Sequence, residues 1–506
     1  MKSMPNRQNT TPPQVGCSLT ATTSTIHYPL STIHCPLATL VCLCLLLTGC
    51  PRDDSTSQRQ PVKRPLDGVK LRLAVADDPA LAAAILRVRG EWNVQTGSEF
   101  QVEETTEKDL LEAGKIDADA LLCPSHLLGV LCERELLAPV PAKTLKGPQW
   151  AAIFDLLKLR EATWGGQAMA VPFGSPLLTC YYRADLLTKL SRRPPRTWDE
   201  YEELAKLLAA EKPAAVDAPW CGTIEPLAPG WAGLTLLARA APLAKHRDNF
   251  STLFNIETME PLVAAPGMIQ ALKELVAATK LGPADPLHFD PAAARAAFWN
   301  GQCGMALTWP TATDDGIPAK VDPAIRVGFV ELPGSSRVFN LTSRTWDIRA
   351  DDEDRHVPLL AISGRLGVVG KQSNELDAAF QLLLWLSDES MSVQVSAASS
   401  ATTLFSQSQL KSPSRWVEKS VPAVAAVHYS DATEAAFRHE PWLAALTLPG
   451  RAEYLAALDE AVLAAVRGEK TVEDALLETD AKWVKITEQL GVDKQKAAYR
   501  HSLGLE

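Results

Sequence analysis

The chain has 506 residues, 46% of them hydrophobic, with 50 basic against 60 acidic side chains and a formal net charge of −10. That much apolar material in so long a chain supports sizeable cores and excludes a disordered protein. The acidic balance excludes nucleic acid, or an anionic lipid surface, as the main partner, because both demand a basic face.

In chain order, the first feature is an apolar run from Leu37 that closes on Leu47-Thr48-Gly49-Cys50. It is too short to cross a bilayer comfortably and ends on small residues before a cysteine, the pattern of a lipoprotein signal peptide. Residues 1–50 are therefore read as a signal peptide with its lipidation site, Cys50. The alternative is a buried segment that happens to contain cysteines. Residues 51–67, polar and Pro-containing, read as a flexible tether. No second apolar run approaches twenty residues, so the expected attachment to a bilayer is through that lipid alone, with the body on the extracytoplasmic face of the cell envelope.

Val69 to Val75 alternates apolar and polar residues and predicts a strand; Asp77-Asp78-Pro79 then opens an Ala/Leu-rich helix reaching Gly90 or beyond. A strand at Glu99 to Glu104, a helix at Lys108 to Ala113 and a buried strand at Ala118 to Pro124 follow. Strands alternating with helices predict an open, mostly parallel α/β sheet, whose ligands sit at the carboxyl ends of strands. The Asp77-Asp78 and Pro124-Ser125-His126 turns are thus rim positions. Leu177 to Arg183 reads as a strand and Asp185 opens a helix. Thr197-Trp198-Asp199-Glu200 is a capping box. Helices are expected at 231–240, 267–280 and 291–300, with a strand at Cys303 to Trp309. Strands at 327–332 and 359–369 bracket a polar stretch, Pro333 to His356, without periodicity. Asn374 and Asp377 cap a helix, and the tail is helical over 454–467 and from Thr471 to about Leu490.

Five cysteines follow Cys50: Cys123, Cys132, Cys180, Cys221 and Cys303. Cys123 and Cys132 are close enough in sequence to pair in an oxidising compartment, the alternative being buried thiols. Their spacing fits no zinc pattern, and no metal or cofactor is expected. Catalytic signatures are missing as well: there is no GxSxG, GxxxxGK[ST] or HExxH, and the adjacent pairs Asp314-Asp315 and Asp351-Asp352 lie in polar loops. The chain does not read as an enzyme.

Several segments carry a resemblance. Ala170-Val171-Pro172 is followed by Tyr181-Tyr182-Arg183-Ala184-Asp185-Leu186-Leu187 and Pro195-Arg196-Thr197-Trp198-Asp199-Glu200. Later come Phe298-Trp299-Asn300-Gly301-Gln302-Cys303-Gly304-Met305-Ala306, Val327-Gly328, Leu332-Pro333-Gly334, Leu366-Gly367-Val368-Val369, Ala378-Ala379-Phe380 and Trp385-Leu386. In this order, over roughly residues 69 to 490, they resemble the carbohydrate-binding extracellular solute-binding proteins of ABC importers, the group related to maltose-binding protein.

The resemblance implies a two-lobed periplasmic-binding-protein-like α/β fold, each lobe an open, mostly parallel sheet flanked by helices, joined by a multi-strand hinge. Residues 69–172 and 362–410 would form one lobe, and residues 178–357 and 414–506 the other. A small solute, a sugar or oligosaccharide, would be captured in the interlobe cleft by a monomer and passed to ABC permease subunits. A ligand-sensing or scaffold lipoprotein of the same fold is the alternative. Sugar sites pair aromatic platforms with planar polar groups, and thirteen tryptophans are available. The candidate ligand-binding residues are Trp309, Trp231 and Trp346, each a stacking platform or else core packing, with Phe173, Ser175 and Tyr181 near the first crossing. Arg365 near the return crossing would be a bidentate donor, and Asp78 a rim acceptor. Gly174 and Gly364 are hinge candidates or simple turns.

Overall fold

The computed structural model describes residues 64–213, 219–350 and 352–505. The apolar run, Cys50 and the tether up to residue 63 lie outside the described residues.

The described chain begins with β1 (Lys70–Ala76), α1 (Pro79–Thr96), β2 (Glu99–Thr105), α2 (Glu107–Ala113), β3 (Ala120–Pro124), α3 (Leu128–Glu133), β4 (Leu137–Ala138) and α4 (Pro148–Ala152). A π-helical turn, Leu157–Glu161, leads through β5 (Thr163–Trp164), β6 (Gln167–Ala168) and β7 (Val171–Gly174) to β8 (Thr179–Arg183). Next come α5 (Ala184–Lys189), α6 (Trp198–Ala210), β9 (Cys221–Ile224), α7 (Ala232–Ala244), α8 (Pro266–Thr279), α9 (Pro291–Trp299), β10 (Cys303–Thr308) and β11 (Val327–Glu331). They are followed by β12 (Arg337–Asn340), β13 (Thr345–Ile348), β14 (Leu359–Leu360), β15 (Arg365–Gly370), α10 (Leu376–Leu386), α11 (Glu389–Ser392) and α12 (Ala423–Ala436). The last elements are β16 (Leu443–Ala444), α13 (Arg451–Val466), α14 (Val472–Leu490) and α15 (Val492–Ser502).

Two principal sheets result. The first has the order β2-β1-β3-β15-β4, with β7 also paired to β15; the second runs β11-β8-β10-β9. Period-two alternation buries both faces of β1: Leu71, Leu73 and Val75 enter one core with Leu81, Ile85 and Trp92 of α1, while Ala74 and Ala76 enter another. Asp78 caps α1 by accepting from the Leu81 amide, and Pro79 occupies the first turn, where its missing N–H costs nothing.

The sheets are mixed, where the alternating pattern predicts mostly parallel ones. β1 is parallel to β2 and β3, and β10 to β9, but β15 runs antiparallel to β3, β4 and β7, and β8 antiparallel to β10 and β11. The cause is the return crossing. β15 enters the first sheet beside Pro124, where β3 ends, so it must travel the opposite way. It lies against β7, the strand by which the chain leaves, so outgoing and returning segments are neighbours.

Other differences are local. The stretch expected as one strand over 359–369 is broken into β14 and β15 around Ala361 (φ 58°) and Gly364 (φ 116°). The aperiodic stretch 333–356 contains the hairpin β12–β13, whose turn at Arg344 has φ 58°. Neither Asn374 nor Asp377 caps α10, which starts after Glu375 without a side-chain cap. Thr197 does cap α6, but the Glu200 carboxylate accepts from the Arg196 amide rather than from the cap residue itself. All five described cysteines are free thiols, so Cys123 and Cys132 do not pair; four are buried and Cys132 is partly so. No helix among the described residues is long and apolar enough to cross a membrane.

Candidate ligand site between the two sheets

The carboxyl ends of β1, β2 and β3 lie side by side, Ala76 opposite Thr105 and Val75 opposite Leu122. Each turn beyond them carries polar groups. Asp77, at φ 50°, accepts from the Glu107 amide at 2.7 Å and so fixes the start of α2. The Glu107 carboxylate lies 3.0 Å from His126 Nε2. That hydrogen bond holds the Glu107 pKa below its ordinary value, while burial holds the His126 imidazole below its own. At neutral pH the pair is thus a carboxylate accepting from a neutral imidazole.

The second wall comes from the ends of β10 and the start of α7. Trp309 follows β10, Trp231 is the N-cap residue of α7, and their rings are 5.6 Å apart at 47°. The Trp231 turn is held by Asp459 of α13, which accepts from the amides of Gly230 (2.5 Å) and Gly233 (2.6 Å). Arg451, first residue of α13, lies in the fields of both Glu107 and Asp459. Burial brings its pKa down to about 10, the two carboxylates opposing that fall, and its Nε has no hydrogen-bond partner. A buried guanidinium donor without a partner is costly, so a group that accepts from Arg451 would be favoured there.

One loop ties the walls together. Trp309 Nε1 donates to the Ser400 carbonyl at 3.0 Å, and Ser399 Oγ donates to Asp78 Oδ2 at 2.5 Å. Asp78 Oδ2 also accepts from Arg365 Nε at 3.0 Å, and the rest of that guanidinium donates to the Asp77 and Gly364 carbonyls. Asp78 and Arg365, expected to hold ligand, are each 7% exposed and hold each other.

The remaining candidates are dispersed. Phe173 and Tyr181 are fully buried; Tyr181 donates to Glu418 Oε1 at 3.1 Å and packs edge-on against Phe298 and Phe329. Ser175 lies within the first crossing, buried, with its hydroxyl on Glu161, and lines a separate cavity with Leu178, His356 and Tyr429. Trp346 sits on the β12–β13 hairpin beneath the Arg337 guanidinium and lines a separate surface groove with Phe250 and Asn255. Gly174 (φ 136°) and Gly364 (φ 116°) lie together: a Cβ on Gly364 would stand 2.7 Å from the Gly174 carbonyl oxygen. The tryptophan pair was legible as types and positions. Glu107 and Arg451 were not singled out, although Glu107 follows a predicted strand end and Arg451 follows the Pro449-Gly450 turn. Among the described residues no group of three or more His, Cys, Asp or Glu is placed to hold a metal ion.

Residues 93–422 match the family described as bacterial extracellular solute-binding protein. The chain belongs to that family. Among solved structures, maltose-bound MalE3 of T. maritima is 19% identical to this solute-binding protein, with a TM-score of 0.60, covering 83% of this chain and 100% of its own. An ABC transporter solute-binding protein of Agrobacterium radiobacter in complex with ribitol is 18% identical, with a TM-score of 0.57, covering 84% and 100%. One from Agrobacterium vitis with bound D-mannitol is 17% identical, with a TM-score of 0.56, covering 83% and 99%. These likenesses establish that the solute-binding protein has the two-lobed α/β fold. A comparison with curated protein sequences gives no match.

Proposed function

We propose that this solute-binding protein captures a sugar or polyol between its two sheets and delivers it to an ABC permease. The observation that carries the reading is the Trp231–Trp309 pair at the end of β10, coupled through Asp459 and Arg451 to Glu107 and His126 at the ends of β2 and β3. Indole faces suit the apolar C–H faces of a sugar, and the carboxylate, imidazole and guanidinium suit its hydroxyls. The ribitol, maltose and mannitol of the three structural neighbours lend support to the ligand class. The arrangement is a binding site, with no bond-breaking step assigned to it.

Closure would be a hinge motion about Gly174 and Gly364, which carry the two neighbouring crossings, with residues 69–172 and 362–410 moving against 178–357 and 414–506. Cys50 would carry the lipid that anchors the monomer at the extracytoplasmic face.

The test is a thermal-shift screen of the protein against sugars and polyols. A ligand at 100 times its dissociation constant adds about 2.7 kcal/mol of stability. Hits confined to sugars or polyols, and lost in Trp231→Ala, uphold the reading. A panel without a hit, or hits indifferent to Trp231, would overturn it.

A further inference from the structure

A second cavity lies at the other end of α7. Trp231 caps the amino end of that helix and Lys245 its carboxyl end, about 20 Å apart at 1.5 Å per residue. The cavity has a volume of about 110 Å³ and is lined by Arg160, Lys245, Phe250, Trp442 and Tyr499, together with residues in and after β16. That is well above the ~10–15 Å³ of such space that one water needs.

We propose that this cavity is a binding site for a small organic anion with a flat apolar body, distinct from the site at Trp231. Its two cations come from separate parts of the fold, Arg160 from the π-helical turn before β5 and Lys245 from the end of α7. Among the described residues neither forms an ion pair with a carboxylate. Lys245 Nζ donates to the Phe250 carbonyl at 2.7 Å, and the Arg160 guanidinium stands over the Trp442 ring at 5.1 Å. Like charges facing one cavity repel, and the partial burial of Lys245 leaves its ammonium less water to screen that repulsion. Burial and the charge of Arg160 accordingly hold the Lys245 ammonium below its ordinary pKa. An anion placed between the two relieves the cost borne by Lys245, with charge-assisted hydrogen bonds from both cations. Trp442, Phe250 and Tyr499 supply apolar walls, so a carboxylate on a ring fits better than a bare inorganic anion.

The experiment is calorimetric titration of the full chain with benzoate, its neutral isostere benzamide and inorganic phosphate, up to about 10 mM, a range that detects millimolar affinity. Benzoate should bind one to one, weakening at least tenfold in Arg160→Gln and in Lys245→Gln, unchanged in Trp231→Ala, with benzamide and phosphate weaker by a similar factor. Arg160 is exposed, so its variant folds even where Lys245→Gln does not. Any of these results overturns the proposal: no benzoate heat, benzamide equal to benzoate, phosphate tighter than benzoate, Arg160→Gln binding as the parent does, or loss of binding in Trp231→Ala.

Discussion

Ser175 Oγ donates a 2.5 Å hydrogen bond to Glu161 Oε2, joining the first residue after β7 to the last residue of the π-helical turn. Glu161 is 6% exposed, and burial raises its carboxyl to about 7, the Ser175 hydroxyl opposing the rise. A folded pKa above the unfolded one means that the fold binds the extra proton. Stability from this group is complete below the unfolded value near 4.3 and declines as pH climbs through 7. Between pH 5 and 7 the decline approaches ~1.4 kcal/mol per pH unit. Glu161→Gln should remove it. Urea midpoints at pH 5, 6, 7 and 8 for both proteins would show this as a difference that widens with pH; parallel profiles would refute it. Glu418, also raised to about 7 by burial, is present in both and cancels.

The Asp78–Arg365 pair makes a different prediction. Both side chains are buried, and Asp78 additionally caps α1 and accepts from Ser399. Arg365→Met leaves a buried carboxylate without its cation and should cost about 3–5 kcal/mol. Replacing both, with Asp78→Asn keeping the cap, should recover a large part of that loss. Chemical denaturation of the two single variants and the double variant measures the coupling. A loss below about 0.5 kcal/mol for Arg365→Met, as at an ordinary surface site, would contradict the geometry.

Periodicity made β1, α1, β2, β3, α6 and β10 legible in the sequence, because each is decided locally by alternation, an N-cap or a glycine turn. The sense of β15 was not, since nothing within Arg365–Gly370 records that it must run back from a crossing beside β7. The hairpin β12–β13 was hidden for a related reason: Trp346 is held under Arg337, a partner supplied by the hairpin itself. In the candidate site, tryptophan positions at the ends of predicted elements picked out Trp231 and Trp309. Arg365 and Asp78 read as free polar groups because a salt bridge between residues 287 apart leaves no local trace. Arg451 escaped because its meaning lies in what surrounds it, Glu107 and Asp459, which the chain brings there from distant segments.

The paired glycines yield a third test. Gly174 and Gly364 occupy φ values that side chains rarely adopt, and a Cβ on Gly174 would come within 2.5 Å of Thr402 Cβ. Alanine at either position meets both backbone strain and a close neighbour, at a cost of about 1–3 kcal/mol each. If the two crossings bend as a unit, Gly364→Ala should also change ligand affinity although the neighbours its Cβ would meet are Gly174, Ser175 and Glu161. Small-angle scattering with and without ligand would report the change in closure. A variant that loses stability but closes and binds as the parent does would place the glycines as turns alone.

Trp231 and Trp309 should answer differently to replacement because their surroundings differ. Trp309 is 5% exposed, and its indole N–H is committed to the Ser400 carbonyl, so Trp309→Ala removes core packing and the bond between the walls. A loss of about 3–5 kcal/mol of stability without ligand is expected. Trp231 is only partly buried, at the start of α7, where its backbone rather than its ring is fixed by Asp459. Trp231→Ala should therefore cost under about 1.5 kcal/mol of apo stability while removing most of the ligand-induced thermal shift. Trp231→Phe, which keeps a smaller aromatic face, should restore part of that shift. The ratio of ligand response to apo loss separates a platform from a packing residue. Equal apo losses for the two alanine variants, with the ligand shift kept in Trp231→Ala, would show that the pair is core and that the solute rests elsewhere.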